Sequence, residues 1–321
     1  MRRGVVLALL LARSATGQDA PSLQFDHRYT FGSKYGIHPR TALNTRPAKA
    51  VFGNGEHPYG LGFPEGVTTD QRHRVWITDS GTASIHIFDP ASGAYREIRR
   101  AGDTALQQPS GIVTDAVGRI YVTDSSTGGI YVFDENGEFD RSLFKPGTHP
   151  LQRPSAIALS QDGRTIYVAD PPRNVVVALN REGEVDRTIQ MPEDRSEPAA
   201  ISVVNNQLYV LAARPHRVHI LSQGGKSLGE LRWEDVAIPT AFVFDHRQRR
   251  YLAANPRSST IQVFNEQGQG LGAFGQYGDA VDQMRHVDAL YTDVRGFVYV
   301  VDSHDGKVIV FAESEHPATA K

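Results

Sequence analysis

The feature of this sequence that most constrains its fold is a short hydrophobic segment that recurs about every 45 residues. The intervals between the ends of successive copies are 45, 45, 44, 41 and 48 residues. The six copies end at Asp70, Asp115, Ser160, Val204, Asp245 and Asp293. Self-similarity at such a period is typical of repeat architectures, in which each repeat is one supersecondary unit. The 321 residues are therefore interpreted as one repeat structure rather than as two unrelated domains.

Each repeat contains several strand-like runs. After the first run come a second, such as VWITD, IYVTD and VYVVD, and a third, such as IHIFD, IYVFD and VIVFA. These runs are rich in Val, Ile, Tyr and Phe and are bounded by turn residues, and a weaker fourth run closes most units. No segment has a sustained helical period. Four strands in each of six units predict an all-β, six-bladed β-propeller of four-stranded blades.

The last blade needs a strand from elsewhere, because only the polar residues 313–321 follow the run that ends at Ala312. The segment from Ala48 to Phe52 aligns with the outer strand before blade six, so we expect this N-terminal strand to complete the blade and close the ring. Closure removes an exposed sheet edge. The predicted organisation is a signal peptide at 1–17, an N-terminal arm at 18–47, the propeller at 48–312 and a polar tail at 313–321.

The wording of the repeat resembles a known family. The phrases P-x-G-I-V-T-D, G-R-I-Y-V-T-D-S and I-Y-V-F-D-x-N-G-E of the second unit are similar to the NHL repeat of six-bladed propellers. Units one, two, three and six carry the resemblance best, whereas unit four has Ala212 in place of the recurrent Asp. The resemblance implies the propeller fold, but NHL propellers include enzymes, receptors and scaffolds alike.

The N-terminus indicates an exported protein. Two arginines precede the apolar run from Gly4 to Ala12, and small residues follow it, which is the order of a secretory signal. We therefore expect a secreted or periplasmic protein that begins near Gln18.

The formal net charge of −2 and interspersed charges disfavour a nucleic-acid partner. The apolar run is too short for a membrane span, the absence of cysteine excludes disulfides, and we expect a monomer.

One acidic group stands out among the candidate site residues. The residue before the small residue of each inner strand is Glu65, Ser110, Ser155, Ala199, Thr240 and Asp288 in blade order. Blades one and six are neighbours in a closed ring, so Glu65 and Asp288 should lie side by side at the mouth of the central channel, flanked by His286. Two carboxylates and a histidine can hold a cation such as Ca²⁺ or Zn²⁺, or act as general acid and base. Alternatively, the carboxylates are solvated and cap local turns.

A second candidate site is basic. The loops between the second and third strands of blades three to five carry Arg173, Arg214, Arg217 and Arg257. They should lie on the same face of the ring as the channel mouth, called here the loop face. A face that is basic on one side and acidic on the other suits a zwitterionic or peptide-like ligand. The recurrent Asp residues at the start of these loops, Asp79, Asp124, Asp170 and Asp302, are interpreted as scaffold that holds the loops through backbone hydrogen bonds.

The predicted function is that of a binding or scaffold module for a protein, peptide or glycan ligand on the loop face. The alternative is a metal-assisted hydrolase or lyase with its site at the channel mouth. Amidoglycolate lyases of this repeat type hold zinc with histidines from several blades, and only His286 matches that pattern. Gluconolactonase-like propellers hold calcium with a Glu in an E-G-P stretch, and PEGV at 64–67 matches only its first element.

Overall fold

The computed structural model describes residues 23–32, 60–144, 151–233, 236 and 238–314, and within them it confirms the predicted fold. Six four-stranded antiparallel sheets form the blades of a propeller. From inner to outer strand, blade one is β2 (Pro64–Thr69), β3 (Val75–Asp79), β4 (Ser84–Phe88) and β5 (Tyr95–Ile98). A small hairpin follows, formed by β6 (Arg100–Ala101) and β7 (Thr104–Ala105).

The next three blades repeat this order. Blade two is β8 (Pro109–Thr114), β9 (Ile120–Asp124), β10 (Gly129–Phe133) and β11 (Phe139–Ser142). Blade three is β12 (Ile157–Leu159), β13 (Ile166–Asp170), β14 (Val175–Leu179) and β15 (Val185–Gln190), with a 3₁₀ turn at Pro171–Arg173. Blade four is β16 (Pro198–Val204), β17 (Gln207–Ala212), β18 (Arg217–Ser222) and β19 (Ser227–Leu231).

The last two blades complete the ring. Blade five is β20 (Phe242–Asp245), β21 (Arg250–Asn255), β22 (Thr260–Asn265) and β23 (Gly270–Phe274). Blade six is β24 (Ala289–Thr292), β25 (Phe297–Asp302), β26 (Lys307–Glu313) and, at its outer edge, β1 (Phe25–Gly32). Strand β26 includes Glu313, so the last blade extends one residue into the predicted tail.

The core lies between the blades. Second and third strands such as VWITD and SIHIF are buried on both faces, which explains why they are nearly continuous apolar runs rather than alternating ones. Six apolar clusters form the core, each shared by two adjacent blades. Trp76, for example, is fully buried between blades one and two, where its indole N–H donates to Asp70 Oδ2 at 2.9 Å. Outer strands such as β15 are largely exposed.

An N-terminal strand closes the ring, as predicted, but a different segment supplies it. Strand β1 pairs antiparallel with β26, with Phe25 opposite Glu313 and Gly32 opposite Lys307. The prediction that Ala48 to Phe52 fills this position was wrong, because β1 already occupies the outer edge of blade six. Part of the predicted arm at 18–47 therefore belongs to the propeller. Residues 48–52 lie outside the described part of the chain, as do the predicted signal peptide and residues 315–321.

The recurrent Asp residues are scaffold, as the sequence predicts. Asp79 accepts hydrogen bonds from the backbone N–H groups of Gly62 at 2.6 Å, Phe63 at 2.9 Å and Thr82 at 3.0 Å. Asp124, Asp170 and Asp302 make equivalent bonds in their own blades. Asp124 and Asp302 also accept from backbone N–H groups of the loops that follow them, as Asp79 does, whereas Asp170 contacts its loop through the Arg173 side chain at 3.5 Å. Each carboxylate thus links the loop that follows it to the connection that enters the inner strand of the same blade. In the described residues, no helix is long and apolar enough to span a membrane.

Candidate functional site

Two adjoining cavities meet at the loop face. The central channel has a volume of about 700 Å³ and is lined by the inner strands of all six blades. A second pocket of about 550 Å³ opens on the loop face above blades one to four. Both cavities are lined by four of the predicted inner-strand residues, Glu65, Ser110, Ser155 and Ala199. The channel mouth and the loop-face pocket are therefore one continuous surface.

The predicted acidic group does assemble at the channel mouth. Glu65 and Asp288 both line the channel, and the negative charge of Asp288 acts on Glu65. His286 Nε2 lies 3.1 Å from Asp288 Oδ1, and its side chain is about half exposed. Asp288 Oδ2 also accepts hydrogen bonds from the backbone N–H of Ser303, at 3.2 Å, and from the Ser303 hydroxyl. Asp288 is thus held in place from both sides.

The pKa values of both carboxyl groups are raised. Burial is the main cause for Glu65, opposed by a hydrogen bond with Ser80 and reinforced by the negative charge of Asp288. Burial also raises the pKa of Asp288, against the hydrogen bond from Ser303 and the nearby His286. A carboxyl group with a raised pKa can donate a proton closer to neutral pH, as a general acid must. The sequence pattern located this pair, but its burial became visible only in the structure.

The described residues contain no cluster of three or more His, Cys, Asp or Glu side chains arranged to hold a metal ion. Glu65 and Asp288 would supply carboxylate oxygens, whereas Ca²⁺ takes six to eight oxygen ligands and catalytic zinc takes about three protein ligands. A cation at this mouth would therefore need most of its ligands from water or from a bound molecule.

The loop-face pocket contains three charged residues that the sequence reasoning did not select, Arg153, Arg195 and Glu197. They line it together with the predicted Glu65, and three prolines at positions 171, 172 and 198 add apolar surface. The positive charge of Arg153 acts on Glu65, opposing the rise of its pKa. The pocket is thus mixed in charge, with Glu65 from blade one facing residues that belong to blades three and four.

The four predicted arginines do not line this pocket. Arg173 lies 3.5 Å from Asp170, and Arg217 pairs with Glu193 at 3.1 Å and Glu230 at 3.2 Å. Arg217 lines a separate groove of about 280 Å³ beside blade four. Arg257 is an exposed loop residue.

Arg214 comes nearest to the pocket, because its Nε lies 3.5 Å from Oε2 of Glu197. It therefore acts on the pocket only by offsetting the charge of Glu197. Among the described residues, the arginines that line the pocket are Arg153 and Arg195 rather than the four predicted ones.

Local structure fixes the pocket residues. The backbone N–H of Arg153 donates to Asp170 Oδ1 at 3.0 Å, so the scaffold Asp of blade three positions this arginine. Blade four has Ala212 at the position of the scaffold Asp, so Asn174 of blade three holds the connection that enters its inner strand. Its Oδ1 accepts from the backbone N–H of Glu197 at 3.1 Å, and its Nδ2 donates to the Glu193 carbonyl at 2.8 Å.

The connection between blades three and four has an unusual backbone. Arg195 and Glu197 both have left-handed φ values, of 58° and 53°. Such values are uncommon for residues other than glycine, so this segment must be held by its surroundings. Ser196 between them is fully buried, and its hydroxyl donates to the Glu193 carbonyl at 2.7 Å. The connection is thus held around Ser196 while both charged residues line the pocket.

A signal for Arg153 and Glu197 was present in the repeat. Glu65 and its equivalents in the other five blades are each preceded, two residues earlier, by a residue of a second column, called here the rim column. In blade order the rim column is Phe63, Gln108, Arg153, Glu197, Ile238 and His286. Three of these, Gln108, Arg153 and Glu197, line the pocket. Alignment of this column would have identified them together with His286. Four residues before the positions of Glu65 and its equivalents, the other five repeats have a buried apolar residue, Leu61, Leu106, Leu151, Val236 or Met284, so the repeat predicts a core residue where Arg195 lines the pocket.

Comparisons with known proteins support the fold. A family model described as a 6-bladed β-propeller matches residues 100–209, which include blades two and three. A search of curated proteins gives no match to this chain. Among solved structures, a streptogramin B lyase has a TM-score of 0.60 and 14% sequence identity, with 82% of each chain covered.

Two further solved structures are similar. Virginiamycin B lyase from Staphylococcus aureus has a TM-score of 0.58 and 15% identity over 81% of this chain and 86% of the lyase. Hydrazine synthase from Kuenenia stuttgartiensis has a TM-score of 0.57 and 15% identity over 78% of this chain and 76% of the synthase chain. Identities this low establish a shared propeller fold, and a fold of this kind does not carry an activity with it.

Proposed function

We propose that this protein is an exported propeller of the NHL-repeat type that binds a peptide segment, free or within a protein, in the loop-face pocket. The observation that carries the proposal is the pocket itself, a cavity of about 550 Å³ that is continuous with the channel mouth. This volume lies within the range of about 300–1,000 Å³ that is usual for ligand sites. The apolar run behind two arginines at the N-terminus supports export.

The lining of the pocket favours a peptide over a glycan. Its residues combine both signs of charge with hydroxyl and amide groups and a proline wall. None of the described residues that line the pocket is aromatic, and the aromatic side chains nearby, such as Phe63 and Tyr291, line the adjoining channel instead. Sugar rings are usually bound against flat aromatic side chains, which the described lining of this pocket does not offer. A peptide presents alternating donors and acceptors with charged ends, and these match a surface on which Arg153, Arg195 and Glu65 lie around one cavity.

The proposal is tested by direct binding. A mixed library of unlabelled tetrapeptides is added to the purified propeller, and binding is followed by saturation-transfer NMR. We expect a subset of peptides to bind the wild type and to be lost from Ala199→Trp, which fills the junction of pocket and channel. A matched control, Ala91→Trp, places the same side chain in an exposed turn of blade one and should leave binding intact. Equal peptide binding by wild type and Ala199→Trp would contradict the pocket assignment.

The second candidate is the metal-assisted hydrolase or lyase. It is favoured by one observation, the two carboxyl groups of raised pKa that lie together with His286 at the channel mouth. The streptogramin and virginiamycin B lyases named above illustrate that propellers of this shape can be enzymes.

A calorimetric scan separates this candidate from the first. If Glu65 and Asp288 hold Ca²⁺ or Zn²⁺, metal should raise the melting temperature of the wild type relative to a chelator, because a ligand that binds only the folded state stabilises it. Glu65→Ala and Asp288→Ala should lose that increase. Identical melting of the wild type with Ca²⁺, with Zn²⁺ and with chelator would contradict a metal site.

A further inference from the structure

The loop-face pocket is lined by two arginine side chains, those of Arg153 and Arg195. Within the part of the chain that the structure describes, neither Arg153 nor Arg195 forms an ion pair, although both side chains line the pocket. Most other arginines on this face are engaged, as Arg214 is with Glu197 and Arg217 with Glu193. Two guanidinium groups left free at one cavity are an arrangement that suits an anion.

Ser155 provides an independent sign of a missing partner at the same place. Its Oγ is buried and has no hydrogen-bond partner, and the residue lines both the pocket and the channel. The other polar groups of Ser155 are occupied. Its N–H donates to the Ala169 carbonyl at 3.0 Å, and its carbonyl accepts from Thr123 Oγ1 at 2.7 Å. A buried hydroxyl without a partner is uncommon in native structures, and rotation of this short side chain toward the pocket that the residue lines would let a bound acceptor satisfy it.

The pocket also contains two carboxylates. Glu197 lines it, but Arg214 offsets the charge of Glu197 from outside at 3.5 Å. Glu65 lines it next to Asp288 at the channel mouth, where the positive charge of Arg153 acts on Glu65 without forming an ion pair. A ligand carboxylate would therefore bind at Arg153 and Arg195, and a cationic group of the ligand at Glu65.

We propose that Arg153, Arg195 and the Ser155 hydroxyl form a carboxylate-binding subsite, which receives the C-terminal carboxylate or an acidic side chain of a peptide ligand. The planar guanidinium group of arginine matches the two oxygens of a carboxylate, and the serine hydroxyl donates a further hydrogen bond to it. The peptide then extends past the proline wall toward Glu65, which can accept a main-chain N–H or an ammonium group. This inference rests on the proposed peptide-binding function and names the group that the pocket recognises.

The test uses one set of tetrapeptides in three forms: with a free C-terminus, with a C-terminal amide, and with a C-terminal amide plus one internal Asp. Dissociation constants are measured by calorimetric titration for the wild type, Arg153→Gln, Arg195→Gln and Ser155→Ala. Two controls are Arg164→Gln, which is 87% exposed on the opposite face, and Arg257→Gln, which lies on the loop face outside the pocket. Melting temperatures confirm that each variant is folded.

The expected result is that removal of the only carboxylate weakens binding at least tenfold. Arg153→Gln and Arg195→Gln should each weaken the binding of the free-acid peptides to a similar extent and leave the binding of the amidated peptides unchanged. Both control variants should bind all peptides as the wild type does. Ser155→Ala should give a smaller loss. If the internal Asp restores the binding of the amides, an acidic side chain is the source of the carboxylate. If it does not, the C-terminus is the source.

Two results would overturn the inference. If amides and acids bind equally, or if Arg153→Gln and Arg195→Gln bind the acids as the wild type does, no carboxylate subsite exists. In that case, loss of binding in Ala199→Trp would still support the proposed pocket. If no peptide in any form binds the wild type, the peptide-binding function fails as well.

Discussion

At the scale of single residues, the scaffold Asp side chains are the groups on which the loop face depends. Burial alone would raise the pKa of Asp79, but His86 Nε2, which lies 3.6 Å from Asp79 Oδ2, and hydrogen bonds from the backbone of Phe63, Thr82 and Gly62 lower it below its usual range. The same hydrogen bonds hold the connection that enters the first inner strand. Each such carboxylate therefore has an electrostatic and a geometric role at once.

We expect Asp79→Ala to destabilise the protein by about 3 kcal/mol at pH 7, because buried backbone donors lose their acceptor. A group with a lowered pKa stabilises the fold above its unfolded pKa, and the effect is lost as the pH falls through the folded pKa. The difference from wild type should therefore shrink in strongly acidic solution. Denaturant unfolding at several pH values measures it. Asp103→Ala, at an exposed hairpin turn, should change stability by less than about 0.5 kcal/mol, and a similar loss for both variants would contradict the scaffold role.

Glu65 has the opposite pH dependence. Because its pKa is raised in the folded state, the folded protein holds the Glu65 proton more tightly than the unfolded chain does. The stability that comes from neutral Glu65 is present at low pH and is lost as the pH rises through the folded pKa. Glu65→Gln, which cannot ionise, should melt at a higher temperature than wild type at pH 7.

The two proteins should melt alike below about pH 4, where Glu65 of the wild type is protonated in both states. Thermal unfolding followed by circular dichroism at pH 4, 5, 6 and 7 checks this dependence. Glu182→Gln, in an exposed turn, serves as the control and should follow the wild type throughout. A wild type and a Glu65→Gln variant that melt alike at pH 7 would show that burial of this carboxyl is not costly.

At the scale of elements, blade six shows where sequence reasoning works and where it fails. The second and third strands are buried on both faces, so their apolar runs are unmistakable, as in FVYVVD at 297–302. An outer strand has at most one buried face and a weak pattern, so Ala48 to Phe52 and Phe25–Gly32 are equally acceptable by composition. Packing decides between them: Phe25 stacks on Phe274 with ring centroids 4.0 Å apart, and Arg250 lies over the Phe25 ring.

Truncation tests this assignment. Removal of residues 1–22 should leave the melting temperature of the mature protein unchanged, whereas removal of residues 1–32 deletes β1 and exposes the edge of β26, which invites aggregation. Phe31 is fully buried in β1, so Phe31→Ala should lower the free energy of unfolding by about 3–5 kcal/mol. Melting and light scattering of the two truncated proteins provide the comparison. Equal melting of both would contradict closure by β1.

The same contrast applies to the candidate site. The acidic pair was predictable because a closed ring places blades one and six side by side, and position in the repeat then locates Glu65 and Asp288. Arg153 and Glu197 occupy a rim column that the repeat also contains. Arg195 could not be found, since the other five repeats have an apolar residue at this position and its segment is held by Asn174 through local hydrogen bonds. Periodic positions are predictable, and irregular connections are not.

At the scale of the whole molecule, the ring combines a repeated framework with an irregular functional face. Hydroxyl groups link neighbouring blades on one side of the ring, where Thr78 donates to the Ser110 carbonyl and Thr123 to the Ser155 carbonyl. These links join blades one, two and three, which are three of the four blades that line the loop-face pocket. Three of the inner strands below the pocket are therefore tied together by side chains as well as by the core.

Export can be tested together with ring closure, because export requires the N-terminal apolar run and ring closure requires β1. Cleavage near Gln18 would remove the apolar run yet leave β1, which begins at Phe25, intact. We therefore expect protein recovered from the periplasm or medium to have the intact mass of a chain that starts near Gln18, and to melt like a recombinant chain with the same start. Leu9→Arg should block export by interrupting the apolar run, whereas Ala20→Arg, beyond the cleavage site, should not. Met1 on the exported protein, or a mature start beyond Phe25, would contradict this prediction.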